Sequence, residues 1–227
     1  MIFNTLKIFV TVNTASEFLC FLAALFFLYR EKSLAWKLFI PFLLLTCCTE
    51  LAGIYIREYM AKANYGIYNV YLLFECGFTS YFFFYLYKSY HYKITWLFTW
   101  LGIFTVMYVT DLLYHDFARF VSTTASVMSV VFVLASLYFY FLKLKDDHFE
   151  PLLFSAQFWW VSGTLFFYFG STACNNFLDY LTRYEAITFY RSIRYIMFNV
   201  LDVIMYIFWS YAFICRYRQR KSSPSLG

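Results

Sequence analysis

Four acidic residues stand inside otherwise apolar stretches of this 227-residue chain: Glu17, Glu50, Glu75 and Asp202. An ionisable group in hydrocarbon costs several kcal/mol unless it is paired, protonated or facing a wet interior, so such groups mark binding or transfer of charge. Their spacing from the nearest basic flank is nearly constant. Glu17 lies thirteen residues before Arg30, Glu50 thirteen after Lys37, Glu75 thirteen before Lys88 and Asp202 fourteen before Arg216. At a rise of 1.5 Å per residue, all four carboxylates fall at one level, about 20 Å from the basic boundary. Carboxylates gathered at one depth can bind a cation or relay protons. Interhelical glue could be made from neutral groups alone.

Helical spacing supplies neighbours for each acid. Asn13 precedes Glu17 by one turn; Tyr68 and Tyr71 precede Glu75; Tyr195, Asn199 and Tyr206 flank Asp202. Another stripe carries Gln157, Thr164, Tyr168, Thr172, Asn175 and Asp179. Residues at i, i+3/i+4 and i+7 share a helix face, and these faces should turn inward. Arg191 and Arg194 lie beyond the acid level, one turn apart. The candidate site therefore has Glu17, Glu50, Glu75 and Asp202 for positive charge. Arg191, Arg194, Asn199 and Asn175 would orient an anionic end, and Asn13, Tyr71 and Tyr195 would complete the wall.

The composition says what must position these groups. Hydrophobic residues make up 63% of the chain and charged residues only 14%, against roughly 25% in a soluble domain. With a mean hydropathy of +0.60, neither a water-soluble globule nor a disordered chain is tenable. Seven apolar stretches can be read, at about 8–29, 34–56, 66–87, 94–114, 119–142, 152–178 and 189–214. Each approaches the roughly 20 residues that a membrane-crossing helix needs. Runs such as Phe21 to Tyr29 do not alternate as the strands of a membrane barrel would. The expected fold is all-α, one polytopic bundle of seven transmembrane helices filling the chain.

Lysine and arginine set the expected orientation, because they accumulate on the cytoplasmic side. The connections after the first, third and fifth stretches plus the C-terminal tail hold eleven, and the opposite side seven. The N-terminus is thus expected outside, and residues 215–227 form a basic cytoplasmic tail able to meet anionic headgroups. No basic leader or cleavage site marks a signal peptide. The fourth stretch lacks a polar stripe before Asp111 and is expected to be the most lipid-exposed.

Other constellations carry less. The six cysteines lack zinc-site spacing, and His91, His115 and His148 all lie in connections. Asp111 and His115 stand one turn apart at a helix end, where solvation is the expected role. No hydrolase, metalloprotease, P-loop or dinucleotide motif is present, and no lysine sits deep in the last helix, as a retinal protein requires. No cofactor or nucleic-acid partner is implied.

Ser16-Glu17, Thr49-Glu50 and the run Tyr65-Gly66-Ile67-Tyr68-Asn69 resemble the corresponding segments of a set of uncharacterised bacterial seven-helix membrane proteins. The resemblance covers roughly the first ninety residues, implies a multi-pass inner-membrane location and carries no known activity. The expected function is that of a ligand-binding or sensor-type membrane protein. A small polar or cationic molecule would enter from outside, and a cytoplasmic or membrane partner would receive the signal. Cation-coupled transport is the alternative, weakened by having only three prolines and seven glycines to interrupt helices. A lipid-modifying enzyme comes third, for want of a nucleophile–base pair.

Overall fold

A computed structural model describes residues 9, 11–90, 95–115, 117–145, 151–177, 185–186 and 191–222, excluding the side chains of 185, 186, 191, 192 and 194. Seven helices occur among the described residues. They are α1 (Val12–Leu28), α2 (Leu34–Glu58), α3 (Tyr65–Lys88), α4 (Thr95–Tyr114), α5 (Ser122–Lys145), α6 (Ala156–Asn176) and α7 (Ile193–Ser222). A two-residue antiparallel pairing of Glu185–Ala186 with Arg191–Ser192 precedes α7.

Local chemistry sets several of the helix ends. Thr11 caps α1 through a reciprocal box, its hydroxyl accepting from the Thr14 amide at 3.1 Å while the Thr14 hydroxyl accepts from the Thr11 amide at 2.9 Å. The helical run of α2 is interrupted at Leu38, where Pro41 has no N–H to offer the Lys37 carbonyl. Asp111 departs from its expected role as a solvated helix end. It is buried, and its Oδ2 accepts from the amide and the hydroxyl of Thr124, both at 3.0 Å. A carboxylate there satisfies donors that the first turn of α5 leaves open.

Six helices close a ring in the order α1, α2, α3, α5, α6, α7, and α7 returns against α1. The α6–α7 seam is tight: a Cβ on Gly163 would stand 2.9 Å from the Phe208 Cβ and 3.2 Å from the Met205 carbonyl. The remaining helix, α4, lies outside the ring against α3 and α5, with only 22% of its most apolar window buried, as the missing polar stripe anticipates.

Four helices are long and apolar enough to cross a membrane: α2, α4, α5 and α7. The 17-residue α1 is apolar but shorter, and α3 and α6 are not among the four. Large apolar side chains point outward around the bundle, among them Leu19, Phe26, Leu51, Phe74, Phe98, Val106, Leu134, Phe169 and Ile207. Exposure on that scale suits lipid and is untenable for a monomer in water. These features suggest a membrane protein.

One end of the ring is sealed by aromatic rings. Phe42 stacks on Phe78 with centroids 4.0 Å apart, and Phe39 packs edge-on against Phe82 and Trp209. Trp36, Trp160 and Phe213 complete a buried cluster. Beyond that plug lies the end that carries Glu31; the opposite end carries Arg57 and Asn64.

Candidate acidic cavity

A cavity of about 280 Å³ opens inside the ring above the aromatic plug, and Glu17, Glu50, Glu75 and Asp202 all line it. Glu17 comes from α1, Glu50 from α2, Glu75 from α3 and Asp202 from α7. Tyr71, Tyr206, Asn13, Thr46 and Thr49 contribute polar atoms, and Phe42, Met205 and Trp209 form the apolar floor. Among the described residues, none of the lining side chains is basic.

Each glutamate is held by a tyrosine from a neighbouring helix. Tyr68 donates to Glu50 Oε2 at 2.7 Å, Tyr168 to Glu75 Oε1 at 2.7 Å and Tyr206 to Glu17 Oε1 at 3.2 Å. Asn13 Nδ2 also reaches Glu17 Oε1, at 3.4 Å. The Tyr71 hydroxyl is 2.9 Å from Thr46 Oγ1, which in turn donates to the Phe42 carbonyl at 3.0 Å. In each of these three glutamates a phenol thus holds one oxygen. Two acceptors on the α1 wall are buried and without a hydrogen-bond partner among the described residues: Glu17 Oε2 and Asn13 Oδ1. Native structures rarely leave such atoms unsatisfied, and where they do an explanation is owed.

Gly53 makes room for this arrangement. A Cβ there would meet the Tyr68 hydroxyl at 2.5 Å, so glycine at this point of α2 lets the phenol lie along the helix and reach Glu50. Asn64 Nδ2 donates to the Gly53 carbonyl at 3.2 Å, tying the α2–α3 connection to the same spot.

A second compartment of about 590 Å³ adjoins the first, sharing Glu50, Tyr68, Leu72, Glu75, Phe120, Phe167, Tyr168 and Phe198. It runs toward the Arg57 end, where Arg57, Asn64, Tyr65, Asn175 and Tyr195 border it. Ser129 and Ser171 lie on its wall, the latter with a buried Oγ that has no hydrogen-bond partner. Among the described residues no three His, Cys, Asp or Glu side chains are grouped closely enough to hold one metal ion. The carboxylates are spread around the wall instead.

Of the candidates named from the sequence, Glu17, Glu50, Glu75, Asp202, Asn13 and Tyr71 meet in the inner compartment, and Asn175 and Tyr195 border the outer one. Asn199 goes elsewhere. Its Nδ2 donates to the Tyr195 carbonyl at 2.7 Å, and it lines a separate apolar groove with Val12, Ile196, Val200, Val203 and Ile204. The α7 residues that reach the cavity are Phe198, Asp202, Met205, Tyr206 and Trp209, a stripe on which Asn199 is rotated by one residue, about 100°. The side chains of Arg191 and Arg194 lie outside the described residues, as do Lys7, His91, Asp116, His148, Asp179 and Arg183.

A second buried acid, at the opposite end, carries no signal of depth in the sequence. Glu31, in the α1–α2 connection, accepts from the amides of Lys32 and Ser33 at 3.1 and 3.0 Å. Arg216 grips both its oxygens, through Nε at 3.2 Å and Nη2 at 3.1 Å, and Arg220 Nη1 stands 3.8 Å away. Burial alone would raise this carboxyl, but the hydrogen bonds from Arg216 and Ser33 and the charges of Arg216 and Arg220 hold it below the ordinary range. Arg216 and Arg220 are one turn apart on α7, which continues as helix through the basic tail to Ser222.

Comparisons of the chain with family models, with curated proteins and with solved structures find no match.

Proposed function

We propose that this chain is a multi-pass protein of the bacterial inner membrane, with seven spans, an outer N-terminus and a cytoplasmic C-terminus. Its acidic cavity binds a small cationic ligand reaching it from the Arg57 end. The observation that carries this reading is the convergence of four carboxylates from four helices on one cavity with no basic side chain among its described lining residues. Four such groups repel one another in a medium of low dielectric, and a bound cation relieves that repulsion. The two unsatisfied acceptors on α1 point the same way.

The reading favoured is a sensor. A single helix, α7, bears Asp202, Tyr206 and Trp209 on the cavity and Arg216 and Arg220 on the Glu31 cluster. A ligand that moves Asp202 therefore shifts the cytoplasmic end of α7 against the α1–α2 connection, where a partner can read it. Coupled transport by the same acids would require a route through the aromatic plug. The break in α2 at Leu38 lies at the plug and not at the acids, so it does not build a substrate site of the broken-helix kind.

Purified protein in lipid nanodiscs, titrated with inorganic and organic cations and followed by calorimetry, tests the proposal. Saturable binding in the wild type that is lost in the Glu17→Gln/Asp202→Asn double variant is expected. Equal binding by that variant, folded to the same helical content, would contradict it. Reconstituted vesicles separate the two readings: cation-driven flux abolished by Glu75→Gln would replace the sensor with a transporter.

A further inference from the structure

The unsatisfied atoms of the cavity have a common chemistry. Glu17 Oε2 and Asn13 Oδ1 are both acceptors, both buried, and both on one turn of α1. A ligand that satisfies them must bring N–H or O–H donors, and beside a carboxylate the donor best matched is a charged N–H. Quaternary ammonium ions have no such hydrogen. A metal ion needs ligands drawn together, whereas the described carboxylates are not so grouped.

The outer compartment adds a second requirement. It is roughly twice the volume of the inner one and is walled in large part by Leu72, Phe120, Met128, Phe167 and Phe198. A compact inorganic cation would leave that apolar wall unused. A ligand whose charged head sits in the inner compartment and whose apolar body extends past Leu72 would cover it, gaining about 25 cal/mol for each Å² of apolar surface removed from water.

We propose that the ligand is a primary organic ammonium with an aromatic or branched apolar body, its N–H groups donating to Glu17 Oε2 and Asn13 Oδ1 and its body lying among Phe120, Phe167 and Phe198. This rests on the cation-binding reading of the same cavity and specifies what that cation is. Tyr206, Tyr168 and Tyr68 act as positioning residues, each turning one glutamate oxygen toward the ligand by holding the other.

The test uses the whole wild-type chain in nanodiscs, with protein-free nanodiscs as the control for partition into lipid. Four probes are compared by calorimetric titration: 2-phenylethylammonium, its N-trimethylated form, neutral 2-phenylethanol and calcium. Expected is saturable binding of the primary ammonium, weaker at least tenfold for the trimethylated and neutral probes, with no saturable calcium response. Glu17→Gln should weaken the primary ammonium at least tenfold. The analogue series needs no variant, so a Glu17→Gln protein that misfolds leaves the test intact. Equal binding of the trimethylated probe would overturn the donor requirement. Glu17-dependent binding of calcium without the amine would overturn the organic ligand while leaving a cation site. Failure of every cation to bind would remove the cation-binding reading itself.

Discussion

Glu17 and Glu31 are both glutamates, both 5% exposed, and both in contact with α7, yet they are held in opposite ways. Glu31 has both oxygens occupied, by two backbone amides and the Arg216 guanidinium, with Arg220 close by. Glu17 has one oxygen held by a phenol and an amide, and among the described residues the other has no partner and no cation lies beside it. Burial does not distinguish these two acids. What separates them is whether the fold itself completes the coordination of the carboxylate.

That contrast breaks most readily at the Glu31 end. Arg216→Ala leaves a buried carboxylate without its main partner and should cost about 3 kcal/mol of stability, read as a lowered unfolding temperature in nanodiscs. Ligand binding at the cavity should be unchanged. The same interaction sets an acid limit. Because Glu31 is held below its ordinary pKa in the folded protein, its contribution is full above the unfolded carboxylate value of about 4.3. It is lost as pH falls through the folded value. The unfolding temperature should therefore fall on acidification below that point, and Glu31→Gln should lack this part of the fall, starting lower at neutral pH.

Smaller effects sharpen the cavity side. Tyr168→Phe removes the phenol that orients Glu75 and should weaken ammonium binding by about 1.5 kcal/mol, roughly tenfold. The unfolding temperature should barely move. A stability loss without a binding loss would instead make Tyr168 a packing residue. Asp111→Ala, which opens the first turn of α5, should cost about 1 kcal/mol with no effect on ligand. Gly53→Ala crowds the Tyr68 hydroxyl away from Glu50 and should weaken binding about threefold, or roughly 0.7 kcal/mol.

How far the sequence carried depended on the distances involved. The common depth of Glu17, Glu50, Glu75 and Asp202 could be counted from the basic flanks because helical rise is rigid, and the four line one cavity. The low burial of α4 is in line with the missing polar stripe. Asn199 was misplaced by periodicity, since its neighbour Phe198 is the residue one turn before Asp202 on the cavity face. Glu31 carries no comparable signal, because its partner Arg216 lies 185 positions away and no local pattern encodes that contact. The burial of Asp111 was hidden for the same reason, its acceptor role arising from the amide of Thr124 on the next helix.

The most direct test of the difference between the two ends is one thermal-unfolding series in nanodiscs, on wild type, Glu17→Gln and Glu31→Gln, each with and without 2-phenylethylammonium. A ligand that binds only the folded state raises the unfolding temperature. Glu31→Gln should unfold at lower temperature and keep the ligand-induced rise. Glu17→Gln should unfold at or above the wild-type temperature and lose the rise. Destabilisation by Glu17→Gln as large as that by Glu31→Gln, with the ligand response intact, would mean that Glu17 holds the helices together and takes no part in binding the ligand.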